Sequence, residues 1–338
     1  MGVNLSSILI KHETSLKDNS GSIVSVDAYN IIYQFLSSIR GDDGEPLKDS
    51  NGNITSHLSG IFYRTSNLLE NNIKPVYVFD GKPFHLKSET LRERSLIKEK
   101  NIMKLEEAIA SNDDAKIRSL SSRINYITDD IVNESKTLLN LMGLPYVQAP
   151  SEGEAQASYM TLKGDVNAVV SQDYDCLLFG AKRILRNFTV YGRRRIAGTS
   201  RTINVNPEII DLNENLSNLG ISREQLIYIG ILTGTDFNPG VKGIGAKTAL
   251  SLIKKYNDIY SVIKIKNIGI DNLDEIIEFF MNPPHNDYEI KFNEPDFDGI
   301  IDFLCGKHNF SESRVNETLE KISRNYKKDH QSSLDRFF

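Results

Sequence analysis

The stretch IVSVDAYNIIYQFLSSI, residues 23–39, decides the fold. Ile23 to Val26 form an apolar, β-branched run of strand length that stops at Asp27, and Tyr29 to Ile39 then read as a helix. The pattern returns in Pro75 to Phe79 ahead of Asp80, in Leu144 to Val147, and in Asn167 to Val170 ahead of Asp173. Helix-like stretches at Leu58 to Glu70 and Ile131 to Met142 lie between these runs. Strands that alternate with helices predict an α/β fold, a mostly parallel central sheet with helices on both faces. Ligands of such sheets gather outside the carboxyl ends of the strands, where Asp27, Asp80 and Asp173 fall. One shared site is therefore geometrically available.

The chain has 338 residues, 39% hydrophobic and 25% charged, which suits a folded globular protein and excludes collagen, a disulfide miniprotein and a wholly disordered chain. No apolar run approaches the ~20 residues of a membrane span. The opening MGVNLSSILIKHE lacks the basic lead and apolar core of an export signal, and its fit to a myristoylation pattern has no second membrane signal beside it. Two distant cysteines, Cys176 and Cys305, suggest neither a zinc site nor a disulfide framework and fit a reducing, cytoplasmic setting. The net charge of −5 argues against a uniformly basic coat, yet Lys182 to Arg201 holds seven bases and no acid, including Arg193, Arg194 and Arg195. Such a stretch is either a solvated basic loop or a contact for a polyanion.

Between Gly81 and Gly143 there is no glycine and Pro83 is the only proline, so residues 82–130 read as an exposed helical insertion, basic in its first part. Residues 40–57 read as a loop or hairpin, and the polar end beyond Tyr326 as a flexible tail with an aromatic tip, Phe337-Phe338.

Seven carboxylates recur in short blocks: Asp27 and Asp80 after strands, Glu152 and Glu154 in APSEGEA, Asp173 and Asp175 in VVSQDYD, and Asp236 in ILTGTDF. Each has a structural alternative. Asp27 can be a helix N-cap, Ser151 with Glu154 matches a capping box, and Asp80-Gly81 is a turn dipeptide. Together, however, acids projected into one place repel and hold their protons unless cations sit among them. Oxygen donors without nearby His or Cys suit Mg²⁺ or Mn²⁺. Two such ions ~4 Å apart clamp a phosphodiester for hydrolysis.

The segment GVKGIGAKTAL, residues 240–250, resembles a phosphate loop, but Ala246 separates Gly245 from Lys247, which disfavours ATPase chemistry. Its glycines can instead bring a turn between two helices close to a phosphate, with the next helix N-terminus and Lys247 facing it; a tight turn without ligand is the alternative.

The blocks VDAYN (26–30), VFDGKP (78–83), APSEGEAQA (149–157), SQDYD (171–175) and LTGTDFNPGVKGIGAKTA (232–249) resemble those of the flap endonuclease family of structure-specific nucleases, in order and over nearly the whole chain. The resemblance implies a nuclease core over 1–263 with a helical arch at 82–130 and a helix–two-turn–helix element at 223–260. A C-terminal part, 264–328, packs on that core, and a tail, 329–338, carries a sliding-clamp peptide. It implies two Mg²⁺ ions held by the seven acids, with Asp27, Asp80, Glu152 and Glu154 serving mainly one and Asp173, Asp175 and Asp236 the other. It assigns Lys87 and Arg94, about two helical turns apart on one arch face, to the scissile phosphate; a solvent-facing pair is the alternative.

By the same resemblance, Tyr33 stacks a flap base unless it is a core residue, and Gly2 lies near the DNA. Gly240, Gly243, Gly245, Lys247 and Thr248 grip the downstream duplex beside a K⁺ ion. Gln331, Leu334, Phe337 and Phe338 match the clamp peptide. The implied protein is a monomeric, archaeal, nucleoid-associated 5′ flap endonuclease with 5′–3′ exonuclease activity, acting in Okazaki-fragment maturation and DNA repair. The rival readings are a bubble-cutting nuclease or 5′ exonuclease of the same superfamily, and a junction binder without catalysis.

Overall fold

The computed structural model describes residues 2–41, 44–111, 113, 116, 120, 127–189, 192–195 and 202–334, with backbone alone at 89, 93, 94, 98, 109, 192–195, 202–204 and 325–334. Nine strands are described: β1 (His12–Glu13), β2 (Ile23–Asp27), β3 (Lys74–Phe79), β4 (Tyr146–Gln148), β5 (Ala168–Val170), β6 (Arg183–Arg186), β7 (Gly192–Arg195), β8 (Thr202–Val205) and β9 (Glu208–Asp211). Seven form one sheet in the order β1-β9-β6-β5-β2-β3-β4. The central five run parallel, while β9 and β1 add an antiparallel edge.

The chain lays β3 and β4 to one side of β2, then returns to lay β5 and β6 on the other. That reversal opens a crevice at the carboxyl ends of β2 and β5.

Alternation along β3 covers both faces. Val76 and Val78 enter one core, Tyr77 and Phe79 the other. The second core is closed by α1 (Ala28–Ser38), α2 (Ser56–Glu70) and α4 (Asp129–Leu141), together with α12 (Phe297–Ile301) and α13 (Glu312–Leu334). The first is closed by α5 (Gly153–Lys163), α6 (Asp175–Leu178), α7 (Leu212–Leu219), α8 (Arg223–Thr233), α9 (Ala246–Tyr256), α10 (Ile259–Lys266) and α11 (Leu273–Met281). Within α1, Ile31, Ile32, Phe35 and Leu36 are buried at helical spacing, so burial holds this eleven-residue helix that propensity alone would not. The insertion after β3 carries α3 (Ser88–Ala110), reached through a 3₁₀ turn, His85–Lys87.

Two expectations need adjustment and one pair of alternatives is resolved. The basic stretch from Lys182 is not one loop: it supplies β6 and β7, and β9 brings Asp211 to Arg183 at 3.1 Å and Glu208 to Arg186 at 3.3 Å. Counting charge along the chain misses acids that arrive from the neighbouring strand. Residues 40–57 form a hairpin-like excursion with antiparallel bridges Arg40 to Pro46 and Lys48 to Ile54. At the carboxyl end, α13 runs on as helix to Leu334 and so includes Gln331; Phe337 and Phe338 lie outside the described residues. Among the described residues no helix is long and apolar enough to cross a membrane.

Candidate active site

All seven acids come to the crevice at the strand ends. Asp27 ends β2 and caps α1, accepting from the Asn30 N–H at 3.1 Å. It also accepts from Ser171 Oγ at 3.3 Å. The N-cap alternative is thus correct, and it leaves Asp27 inside the acidic group. Asp80 follows β3 and accepts the Gly153 N–H at 2.6 Å, so it caps α5 from another strand. The capping box of Ser151 with Glu154 does not form: Ser151 Oγ and Glu154 Oε1 are buried without a hydrogen-bond partner. Glu152 precedes α5, with Oε1 3.5 Å from the Phe84 N–H. Asp173 accepts from Asn30 Nδ2 at 2.9 Å and lies 3.5 Å from the Gly2 N–H. Asp175 opens α6 and accepts the Val3 N–H at 2.9 Å. Asp236 lies between α8 and α9.

Crowding shows in the proton affinities. Burial, then the Asp80 charge, push the Asp27 carboxyl up to about 8. Burial and Glu152 push Asp80 up to about 6, and burial with Asp236 and Asp173 pushes Asp175 up to about 7. Glu154 is raised by burial and by Asp175, Asp173 and Asp27. Burial and these acids also raise the thiol of Cys176 beneath them, so it is neutral and unreactive.

One cation is already among the acids. Lys87 bonds Glu152 and stands 3.7 Å from Asp236, which keeps its ammonium protonated despite burial. Lys87 therefore does not face solvent. It sits in the 3₁₀ turn that leads directly into α3, seven residues before Arg94. The Arg94 side chain lies outside the described residues.

Among the described residues, no group of three or more His, Cys, Asp or Glu is drawn together tightly enough to hold an ion as it stands. The donor set nonetheless fits divalent cations. Asp27, Asp80, Glu154 and Asp175 carry raised proton affinities, through burial first and neighbouring acids second, and a buried Glu154 oxygen has no partner.

Of the remaining residues, Gly2 adjoins this group. Gly2 approaches Asp175 so closely that a Cβ there would overlap its carboxylate. Tyr33 is 47% exposed on α1, which removes the core alternative. Gly240 and Gly243 take left-handed φ of 72° and 84°, Gly245 caps α9, and Lys247 and Thr248 are exposed in its first turn. Arg193, Arg194 and Arg195 lie on β7, paired with β8 in a two-stranded ribbon, and their side chains lie outside the described residues. The supporting groups Asn30, Ser171 and the Val3 N–H were not singled out from sequence. Asn30 stands in the quoted VDAYN block, but nothing linear points its amide at Asp173.

Two family models match the chain, the XPG N-terminal domain over residues 1–101 and the XPG I-region over 143–236. Flap endonuclease 1 of Archaeoglobus fulgidus is 48% identical over 340 residues, covering 100% of both chains. The chain belongs to the flap endonuclease family. Its fold matches flap endonuclease-1 from Methanococcus jannaschii with a TM-score of 0.77 and 44% identity, over 97% of this chain and 100% of that one. The catalytic core of Rad2 in complex with DNA substrate matches at a TM-score of 0.70 over 92% of this chain and 96% of that one; at 24% identity it speaks for the fold alone. Flap endonucleases are nucleases that act in replication and repair, and the family is metal-dependent.

Proposed function

We propose that the chain is a Mg²⁺-dependent 5′ flap endonuclease with 5′–3′ exonuclease activity that recognises branched DNA by shape. The observation that carries the reading is the convergence of seven carboxylates from separate segments on one crevice, with Lys87 among them. Asp27, Asp80, Glu152, Glu154, Asp173, Asp175 and Asp236 would hold two Mg²⁺ ions, for which Mn²⁺ can substitute, supplying an activated water and neutralising charge at the leaving oxygen. Lys87 holds a scissile phosphate oxygen against the acids, and Arg94 on α3 assists it. Exposed Tyr33 offers a stacking face to an unpaired base. The turn at Gly240, Gly243 and Gly245, with Lys247 and Thr248, binds the phosphate backbone of the downstream duplex beside a K⁺ ion, and the β7–β8 arginines add backbone contacts. Gly2 borders the DNA path.

These contacts read backbone and geometry, so affinity falls steeply with salt. The protein acts as a monomer on nucleoid DNA, and Gln331, Leu334, Phe337 and Phe338 dock on the replication clamp. Residues 1–263 form the nuclease core and 264–328 brace it.

One gel tests the reading. A 5′ flap, a 3′ flap, a bubble and single-stranded DNA are incubated with and without Mg²⁺, beside Asp175→Ala. Expected is cleavage of the 5′ flap alone at speed, only with Mg²⁺, and none by the variant, which still binds the junction. Preferred cutting of the bubble, or undiminished cutting by Asp175→Ala, overturns it.

A further inference from the structure

The segment 264–328 carries no motif of its own, yet one of its rings stands where two candidate site residues are set. Phe279 on α11 is 5% exposed and stacks on Phe84, the centroids 3.9 Å apart and the planes 9° from parallel. Phe237 meets both rings edge-on, 5.7 Å from Phe84 and 5.1 Å from Phe279. Phe179 closes the far side of Phe279 at 5.7 Å. Edge-to-face contacts prefer definite angles, so such a cluster fixes orientation as well as volume.

Two of these rings are wired to the crevice. Phe84 lies three residues before Lys87, and the Lys87 N–H donates to the Phe84 carbonyl at 2.9 Å, so the 3₁₀ turn carries any shift of Phe84 to the ammonium. The Phe84 N–H itself faces Glu152 at 3.5 Å. Phe237 directly follows Asp236; its N–H donates to Thr235 Oγ1 at 3.1 Å, and Thr90 Oγ1 of α3 donates to the Asp236 carbonyl at 2.8 Å. The segments bearing Lys87 and Asp236 therefore meet on Phe279. The ion pair of His85 with Glu275 of α11, at 3.0 Å, is solvent-exposed and holds little by comparison.

We propose that Phe279 is a positioning residue, which by clamping Phe84 against Phe237 sets the Lys87 ammonium over the Glu152 and Asp236 carboxylates. The proposal rests on the site reading above. It gives the C-terminal part a role in the chemistry, since removing the stack lets the base of the arch slide while Asp27, Glu154 and Asp175 stay on β2, α5 and α6. A displacement of about 1 Å in a positioned group is enough to cost ~10²-fold in rate.

The test compares Phe279→Leu, which keeps most of the volume, and Phe279→Ala with wild type, alone and combined with Lys87→Met. The readouts are the single-turnover rate on a 5′ flap in Mg²⁺ and the dissociation constant for the uncut flap in Ca²⁺, with melting temperature as the folding control. Expected is a rate loss of about ten- to a hundredfold for Phe279→Leu, a dissociation constant within about twofold, and no further loss when Lys87→Met is already present. A full additional loss on top of Lys87→Met, or parallel losses in rate and binding, overturns the proposal, as does an undiminished rate. If Phe279→Ala does not fold, Phe279→Leu decides. The two readings fail separately: a slow Lys87→Met beside a wild-type Phe279→Leu removes only this proposal, whereas a Lys87→Met that cuts normally removes the site reading and this proposal with it.

Discussion

Replacing Asp80 by Asn should stabilise the metal-free protein while destroying its activity. The carboxylate bears charge, but its Oδ1 also caps α5 through the Gly153 N–H at 2.6 Å, and an amide oxygen can keep that bond. Burial and the Glu152 charge raise Asp80 from 3.8 to about 6. At 1.36 kcal/mol per tenfold change in proton affinity, ionised Asp80 costs the folded state about 3 kcal/mol. The sign follows from linkage: below pH 4 the proton is bound in both states and nothing is lost; the penalty grows from pH 4 to 6 and is constant above. Asp80→Asn removes it. In EDTA at pH 8 the melting temperature should rise by about 6 °C, taking about 2 °C per kcal/mol for a chain of this size, and at pH 4 it should not change. Mg²⁺ should nearly close the gap. An ion that binds only the folded state at a hundredfold its dissociation constant contributes about 2.7 kcal/mol to wild type, and the variant loses most of that gain. Thermal melts at both pH values, with and without Mg²⁺, make the comparison. A variant equally destabilised at pH 8 and pH 4, with an unchanged response to Mg²⁺, would show Asp80 to be only a cap and refute the like-charge reasoning.

Other consequences can be checked directly. Gly2→Ala places a Cβ against the Asp175 carboxylate and should slow single-turnover cleavage by at least about tenfold without lowering the melting temperature; equal rates would show that Asp175 has room to move. Burial holds His57 below its ordinary 6.5 despite Glu134, so below that pH the unfolded chain gains a proton the folded one refuses, and stability declines. His57→Gln should shrink the drop in urea midpoint between pH 7.5 and 5.5, and an unchanged drop would assign it to other groups. Deleting residues 331–338 should spare basal flap cleavage and abolish stimulation by the sliding clamp, measured on one substrate with and without clamp.

The parallel part of the sheet was legible because β2, β3 and β5 are buried on both faces and so appear as short continuous apolar runs, two of them at Ile23 and Pro75. The strands towards β1, with β6 among them, were not. β1 spans two exposed residues, and β6 and β9 each set a single apolar pair between charged ends, Arg183 and Arg186 or Glu208 and Asp211, so they look polar until their ion pairs are seen. The acids were legible as a set because each stands in a short block, six of them after a strand or at a helix start and Asp236 shortly after α8. Their supports were not, because Val3, Asn30 and Ser171 act through long-range contacts, 172 residues apart in the case of Val3 and Asp175. The aromatic cluster of Phe84, Phe237 and Phe279 has the same character: nothing in the spacing of three distant phenylalanines says that they meet.

How the fold tolerates so much like charge explains why the site needs metal. Three helices begin at the crevice, α1 behind Asp27, α5 behind Glu152 and α6 at Asp175, and their free N–H groups favour negative charge. Backbone donors answer Asp27, Asp80 and Asp175, and Lys87 answers Glu152. This compensation stops short of Glu154, whose Oε1 is buried with no donor and whose neighbours are Asp175, Asp173 and Asp27. A chain selected only for stability would fill that position with an apolar residue or supply a donor. Leaving it unsatisfied makes the folded protein least comfortable at the point where a divalent cation would gain most, so part of the affinity for the ion is held as unrelieved repulsion in its absence. Lys87 then has a double place. In the metal-free protein its ammonium offsets the acids; on the proposed reading, bound ions would take over that charge and free it for a phosphate oxygen, and its setting by the base of the arch would then matter to the rate.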